Sequence, residues 1–218
     1  MMNEEQRIFK GILFSPANPK LRAIKLQAHN LSSLYSRTLE NETETRESIL
    51  NQLLGSKGEN CFIQGPVFFH YGTHTEIGNH FFANYNLTVQ DDAKVIIGNH
   101  VNFGPNVTIV TPVHPLVASE RRQMLDQHGN AQLLCYAKPV TIGHDVWLST
   151  NVTVCGGVTI GDRSVIGAGS VVMHDIPPDS FAAGVPCKVI RTITEVDSMI
   201  YKPDILADCQ VMKDGHFE

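Results

Sequence analysis

Three residues in the middle of the chain, Asn84, Asp92 and His114, have side chains suited to binding and deprotonating a hydroxyl group. A carboxylate accepts hydrogen bonds, an amide both donates and accepts them, and an imidazole can take up a proton near neutral pH. Spacing alone leaves other roles open, because Asp91 and Asp92 also suit a simple turn and His114 is one of ten histidines. The elements that hold these residues therefore decide whether they act together.

An apolar residue recurs at every sixth position over much of the chain. The repeated positions are Ile77, Ala83 and Val89, then Ile97, Phe103 and Ile109, then Ile142, Leu148, Val154, Ile160, Ile166 and Val172. This period matches neither the 3.6 residues of a helix nor the alternation of an isolated strand. Short strands joined by tight turns predict a solenoid of stacked parallel strands with these side chains inside. Asp91 and Asp92 are the two extra residues that break the phase.

Glycine and Asn/Asp residues follow many of the apolar positions, for example Gly98 with Asn99, Gly143, and Gly161 with Asp162. We expect them to form the turns because they tolerate backbone angles that branched residues avoid.

Composition excludes several classes of protein. The chain has 218 residues and 42% hydrophobic content, which is ordinary for a globular protein. A formal net charge of −5 and a pI near 6.0 argue against binding to nucleic acid. Five widely spaced cysteines without a C-x-x-C pair predict neither a disulfide framework nor a zinc site. No membrane span or signal peptide is visible, so a cytoplasmic location is expected.

Three segments differ from the repeat. Residues 1–57 lack it and predict a helical cap over the open end of the solenoid, with Asn18 before Pro19 starting one helix and Asn41 with Glu44 starting another. Residues 58–193 are expected to form the solenoid, interrupted by an insertion at about 112–138, which is either functional or a plain surface excursion. Residues 194–218 predict either a docked helix or a loose tail.

Several motifs resemble those of one enzyme family, the galactoside and maltose O-acetyltransferases. They are FFANYN at 81–86, T-x-x-H-P at 111–115, D-V-W at 145–147 and A-A-G-V-P at 182–186, and the likeness covers about residues 5–193. These are hexapeptide-repeat acyltransferases, so the resemblance implies a mainly β fold, a left-handed parallel β-helix with an N-terminal helical cap. It also implies acetyl-CoA as co-substrate, no metal, and a homotrimer with active sites between subunits.

The resemblance also assigns roles to individual residues. His114 matches the catalytic general base, which would take the proton from a sugar hydroxyl during direct transfer. Asn84 and Asp92 match positions that bind the acceptor. The positions expected along coenzyme A are Trp147, Ser149, Thr150, Ala168, Met173, His174, Lys188 and Arg191, the two cations facing phosphates. Backbone N–H groups near Ser149 and Thr150 are candidates for stabilising the developing oxyanion.

Departures from the family pattern affect the acceptor and cofactor sites. Asn18, in Ala17-Asn18-Pro19, stands where many relatives carry an acidic residue near the acceptor, and His174 stands where lysine is frequent. Asn18 is therefore a candidate for binding the acceptor. Because it is neutral where many relatives are acidic, the resemblance does not identify which sugar or glycoside is bound.

Three alternatives remain beside sugar acetylation. A γ-class carbonic anhydrase needs an H-x4-H zinc pair, whereas this chain has His70-x3-His74. An acetyltransferase for xenobiotics or other small molecules would share His114 and the cofactor. A non-enzymatic scaffold is disfavoured by the intact His114, Asn84 and Asp92.

Overall fold

The structure is a computed structural model, and it describes residues 2–125, 129 and 131–206. Helices occupy the N-terminal end and short helical turns the C-terminal end. The α-helices are α1 (Glu4–Phe9), α2 (Pro19–Tyr35), α3 (Thr43–Leu53) and α4 (Pro203–Leu206), and the 3-10 turns are Ala118–Arg121, Glu195–Asp197 and Met199–Tyr201.

Of the two helix starts predicted from the sequence, the one at Asn18 is confirmed and the one at Asn41 is not. Asn18 does cap α2, since its Oδ1 accepts a hydrogen bond from the Lys20 N–H at 3.0 Å and Pro19 follows it. The expected cap at Asn41 is wrong. Helix α3 starts after Glu42, whose carboxylate turns back to accept from the Leu39 N–H at 2.6 Å and leaves the helix without a side-chain cap.

Between these ends, the strands form three sheets that wind into a β-helix of parallel coils. The first sheet contains β1 (Ser56–Lys57), β4 (Thr75–Ile77), β7 (Val95–Ile97), β14 (Val140–Ile142) and β17 (Thr159–Ile160). The second contains β2 (Phe62–Ile63), β5 (Phe82–Ala83), β8 (Asn102–Phe103), β15 (Trp147–Leu148), β18 (Val165–Ile166), β20 (Ser180–Ala183) and β21 (Lys188–Thr192). The third contains β3 (Val67–Phe69), β6 (Leu87–Gln90), β9 (Thr108–Val110), β16 (Thr153–Cys155) and β19 (Val171–Val172).

The repeat register is confirmed. Neighbouring coils pair in parallel with equivalent residues side by side, as Ile142 pairs with Ile97 and Ile160. Every one of the twelve repeated apolar positions is buried. Their side chains form one continuous core that α2 and α3 cover at the first coil. The antiparallel pairing of β21 with β20 ends the second sheet.

The role predicted for the turn glycines is wrong in one respect. Positive φ angles at these turns belong to His80, His100, Asp145 and Arg163, two residues after each glycine. Gly98 is needed for a different reason: a Cβ there would lie 2.6 Å from the Gly143 carbonyl oxygen of the next coil. Stacked coils approach too closely at this point for any side chain.

A buried arginine fastens the helical cap to the solenoid. Arg46 of α3 is 6% exposed, and its guanidinium donates to the Ile63 carbonyl at 2.6 Å and to the Tyr35 hydroxyl at 2.8 Å. The same guanidinium stacks on the Tyr35 ring at 4.5 Å.

The insertion leaves the third sheet and forms two small antiparallel ladders. These are β10 (Pro112–Val113) with β13 (Tyr136–Ala137) and β11 (Met124–Leu125) with β12 (Ala131–Gln132).

Candidate active site

The two-residue phase break is a bulge after β6 that buries two carboxylates. Asp91 is fully buried and accepts from the Tyr71 N–H at 2.7 Å and from the Thr75 hydroxyl at 2.8 Å. Asp92 is 3% exposed, and its Oδ2 has no hydrogen-bond partner among the described residues. Burial raises the pKa of Asp92 to about 7, with the Asp91 charge adding to the effect. A carboxylate oxygen without a protein partner can accept a hydrogen bond from a hydroxyl group.

Lys25 of α2 supplies the positive charge nearest to Asp92. Its ammonium donates to the Pro16 carbonyl at 2.9 Å and lies 5.8 Å from the centre of the Tyr71 ring. Burial lowers the pKa of Lys25 and the Asp92 charge opposes that shift. Nothing in the sequence distinguishes Lys25 from other lysines, because its partner is 67 positions away and only the packing of α2 on the coil unites them.

The root of the insertion is tied to the same bulge. The Thr111 hydroxyl donates to the Gln90 carbonyl at 2.8 Å and accepts from the Ala93 N–H at 3.0 Å. Strand β10 follows and pairs with β13, so His114 emerges directly after a fixed two-stranded ladder. The His114 side chain is exposed and makes no hydrogen bond within the part of the chain that the structure describes. An exposed imidazole at a rigid root is free to accept a proton from a bound molecule.

A cleft of about 320 Å³ opens beside Lys25. It is lined by Pro16, Ala17, Arg22, Lys25, Gln123, Gln132 and Leu133, which join the N-terminal segment to the insertion. Asn18 lines a separate cleft of about 300 Å³ with Glu5 and Lys20. Its amide oxygen accepts the hydrogen bond that caps α2, and Asn18 does not line the cleft beside Lys25.

Asn84 lies at a different corner of the coil from Asp92 and His114. It follows β5 of the second sheet, and its Oδ1 accepts from the Tyr85 N–H at 2.8 Å. Asp92 and His114 follow strands β6 and β9 of the third sheet. Strand β6 and its preceding turn therefore separate Asn84 from Asp92, and a single chain does not bring the three predicted residues to one point.

The second corner, meaning the turns after the strands of the second sheet, also carries Ser149, Thr150 and Ala168. The backbone N–H groups of Asn84, Gly104, Ser149 and Gly167 each donate to the next coil, which aligns these turns in one row. The Ser149 N–H thus donates to the Ile166 carbonyl at 3.0 Å and is not available to an oxyanion, so that expectation is wrong. The Thr150 N–H makes no hydrogen bond within the described residues and remains a candidate donor to the oxyanion.

The remaining predicted cofactor residues lie on the outside of the last coils. Trp147 is 50% exposed on the outer face of the second sheet, and Met173 and His174 follow β19 at the third-sheet corner. Lys188 and Arg191 project from β21 and are exposed. The Arg191 guanidinium is engaged by the C-terminal extension, since it donates to both Asp197 oxygens at 2.7 Å.

The two histidines weighed as metal ligands have other partners. His70 Nδ1 lies 3.2 Å from His29 Nε2, and burial lowers the pKa of His70 to about 4. His74 contacts the bulge carbonyls and Glu5. Among residues 2–125, 129 and 131–206, no group of three His, Cys, Asp or Glu side chains could hold a metal ion.

Comparison with known proteins finds several relatives of this chain. Residues 7–58 match the family described as "Maltose acetyltransferase hexapeptide capping motif" and residues 139–174 match "Bacterial transferase hexapeptide (six repeats)". The galactoside O-acetyltransferase of Escherichia coli strain K12 is 40% identical over 206 residues, covering 94% of this chain and 97% of that protein.

The chain belongs to the galactoside and maltose O-acetyltransferase family. A solved galactoside acetyltransferase in complex with coenzyme A superposes with a TM-score of 0.82 at 41% identity, covering 90% of this chain and 94% of that one. The maltose O-acetyltransferase from Clostridium difficile 630 gives a TM-score of 0.76 at 38% identity, covering 89% and 99%. The hexapeptide-repeat fold expected from the sequence is confirmed. In the described part of this O-acetyltransferase family member, no helix is long and apolar enough to cross a bilayer.

The buried carboxylate of this family member has a cost in stability. Because burial raises the folded-state pKa of Asp92 from 3.8 to about 7, the folded chain holds this proton more tightly than the unfolded chain. Stability is therefore expected to fall as the pH rises from 3.8 to about 7 and to stay level above that. We expect Asp92→Asn to be more stable than the wild type at pH 8 by about 1 to 2 kcal/mol, since the amide carries no charge but must still be buried.

Urea unfolding of both proteins at pH 5 and pH 8 measures this difference. Asp145→Asn, which alters an exposed turn residue with the same chemistry, is the matched control. An Asp92→Asn protein that loses as much stability between pH 5 and pH 8 as the wild type would contradict the assignment.

Proposed function

We propose that the protein transfers an acetyl group from acetyl-CoA to a hydroxyl of a sugar or glycoside. The observation that carries the proposal is the Thr111 linkage, which holds the His114 loop root against the bulge that bears Asp92. A proton acceptor and a hydrogen-bond acceptor for hydroxyls thereby share one corner of the solenoid. The likeness to a galactoside acetyltransferase solved with coenzyme A supports the choice of donor and acceptor. A cytoplasmic location stays a prediction.

His114 acts as general base in this proposal. Its neutral imidazole takes the proton of the acceptor hydroxyl as the oxygen attacks the thioester carbonyl. The carbonyl then re-forms, the C–S bond breaks, and the proton passes to the leaving thiolate of coenzyme A. The Thr150 N–H is the backbone donor available for the developing oxyanion.

Direct transfer fits the chemistry of the nearest thiol. Cys135 lies close to Asp92 and Lys25, but burial raises the pKa of its thiol to about 12. A protonated, buried thiol is a poor nucleophile, so a covalent acetyl-cysteine is not part of the proposal. Acceptor and thioester held together supply the needed proximity.

Acetyl-CoA lies along the second corner in this proposal. Ala168 is exposed there and small, so the pantetheine arm can approach the backbone of the aligned turns. Ser149 and Thr150 line the same row, Trp147 lies on the strand that precedes it, and Met173 and His174 lie at the third-sheet corner. Lys188 and Arg191 supply cations for the phosphates.

The split between corners supports a homotrimer. Asn84 and the cofactor row lie at the second corner, whereas Asp92 and His114 lie at the third-sheet corner. A complete site forms when the second corner of one subunit meets the third-sheet corner of the next, and a closed ring of three subunits repeats that contact. Light scattering during turnover tests this, because an active monomer would contradict it.

An acceptor screen tests the function itself. The wild type is incubated with acetyl-CoA and a panel of sugars, glycosides and amines, and the release of free coenzyme A thiol is followed. We expect turnover with hydroxyl acceptors of the sugar or glycoside class and little with simple amines. Thiol release with amines alone, or no release above the hydrolysis rate, would reject the proposal.

Releasing Arg191 from the C-terminal extension should strengthen acetyl-CoA binding. The Arg191 hydrogen bonds to Asp197, which lower the pKa of Asp197 to about 2, compete with a phosphate for the same guanidinium. We expect Asp197→Asn to lower the KM for acetyl-CoA about threefold, with the acceptor KM unchanged. Asp179→Asn, which breaks the similar exposed pair with Arg163, is the matched control. A KM that rises in Asp197→Asn would show instead that the pair orients Arg191.

A further inference from the structure

A fully buried histidine joins helix α1 to the bulge that carries Asp92. His74 is 1% exposed. Its Nδ1 lies 3.0 Å from the Asp91 carbonyl oxygen and 2.8 Å from that of Asp92. Its Nε2 lies 3.2 Å from Glu5 Oε1 in α1. One imidazole therefore spans two elements that are distant in the sequence.

Both ring nitrogens of His74 face oxygen atoms that accept hydrogen bonds. A carbonyl oxygen can only accept, so Nδ1 must carry a hydrogen to bond with Asp91 or Asp92. Glu5 Oε1 lies within hydrogen-bonding distance of Nε2, so the ring is held by a main-chain turn on one side and a carboxylate on the other.

Aromatic rings fix the orientation of His74 between the bulge and Glu5. The Tyr71 ring stacks on the imidazole at 4.6 Å with an angle of 7°, and the Phe9 ring meets it edge-on at 4.8 Å. His70, the other titratable neighbour, has its pKa lowered to about 4 by burial and adds no charge at neutral pH.

We propose that His74 is a positioning residue for acceptor binding, which fixes the main chain of Asp91 and Asp92 against α1 and so directs the Asp92 carboxylate. This inference rests on the proposed function, in which Asp92 binds the acceptor hydroxyl. The free Oδ2 of Asp92 keeps its direction only while the two carbonyls of the bulge are held. His74 is the side chain that holds both of them.

The hydrogen bond from His74 Nδ1 to the bulge can be tested without any acceptor. Nitrogen-15 NMR of the full-length protein is expected to show a hydrogen on Nδ1 of His74, assigned by the signals that vanish in His74→Asn. A ring that carries no hydrogen on Nδ1 would overturn the proposal. This measurement is independent of catalysis, so it separates failure of the inference from failure of the proposed function.

The kinetic test uses Glu5→Gln, His74→Asn and a control. Glu5→Gln keeps a hydrogen-bonding group and removes the charge, and its site is partly exposed, so folding is not at risk. We expect the acceptor KM to rise about threefold in Glu5→Gln and about tenfold in His74→Asn, with the acetyl-CoA KM within about twofold of the wild type. Glu47→Gln, which alters the 2.6 Å pair between α3 and Lys57 of β1, is expected to leave both constants unchanged.

A purely structural role would give a different pattern. Lower thermal stability with an unchanged acceptor KM in Glu5→Gln and His74→Asn would overturn the proposal. Equal changes in the two KM values would overturn it as well. A wild type that transfers no acetyl group to any hydroxyl acceptor, with a hydrogen on His74 Nδ1, would reject the proposed function and the acceptor role together while leaving the geometry of the ring in place.

Discussion

Replacing His114 with alanine is expected to reduce the acceptor kcat/KM by about 10²- to 10⁴-fold, or roughly 3 to 5 kcal/mol of transition-state stabilisation. The loss has a local cause, because a sugar hydroxyl attacks a thioester poorly unless a base takes its proton as the bond forms. Folding and acetyl-CoA binding should persist, since the side chain is exposed and lies outside the apolar core. Steady-state kinetics on the folded, assembled variant measures the effect.

The pH profile distinguishes loss of a base from loss of binding. Wild-type activity is expected to increase with pH, because a general base must be unprotonated to take the hydroxyl proton, and His114→Ala should lack that increase. His114→Gln is the matched control, because it restores a hydrogen-bonding side chain without a basic nitrogen. A folded His114→Ala protein that kept more than about a tenth of the wild-type rate would exclude His114 as the base, since that loss is far below the usual contribution of a general base.

The parts of the site found from the sequence are those that lie in short, regular stretches. Asp92 stands out because it breaks the six-residue register, and His114 because it lies in a T-x-x-H-P motif that resembles the family's. Lys25 and His74 left no such signal. Their roles depend on contacts with Asp92 and Glu5 that join helices to coils far apart in the chain, and only tertiary packing creates those contacts.

The fold was more predictable than the site because the core repeats. Residues such as Ile97, Ile142 and Ile160 stack in neighbouring coils, so each buried position in the sequence predicts the next. The turns lie where the sequence predicts them. Backbone angles alone, however, do not explain the glycines. Positive φ angles can be tolerated by His100 and Asp145, whereas the space between coils at Gly98 cannot be inferred from one turn alone. Distances between coils are properties of the stack.

The close approach of neighbouring coils at Gly98 predicts a large loss of stability when a side chain is added there. Gly98→Ala is expected to reduce the free energy of unfolding by about 3 kcal/mol. The new Cβ would lie 2.6 Å from the Gly143 carbonyl oxygen and 2.9 Å from the His144 backbone nitrogen. Both atoms belong to the backbone of the next coil, so no side chain can rotate away and the coils must separate locally. Urea unfolding at pH 8 measures the loss.

Gly169→Ala is the matched control for Gly98→Ala, because it separates crowding from backbone strain. Gly169 has a φ of +70°, and a Cβ there would meet no atom within 4 Å. Only the left-handed conformation opposes alanine at this turn, which costs about 1 to 2 kcal/mol. Gly98 has no positive φ, so strain of that kind is absent and the close approach of the Gly143 backbone must account for the larger loss. If Gly98→Ala were no less stable than Gly169→Ala, the contact between these coils would be looser than the stacking requires, and the need for glycine at position 98 would have to come from the turn itself.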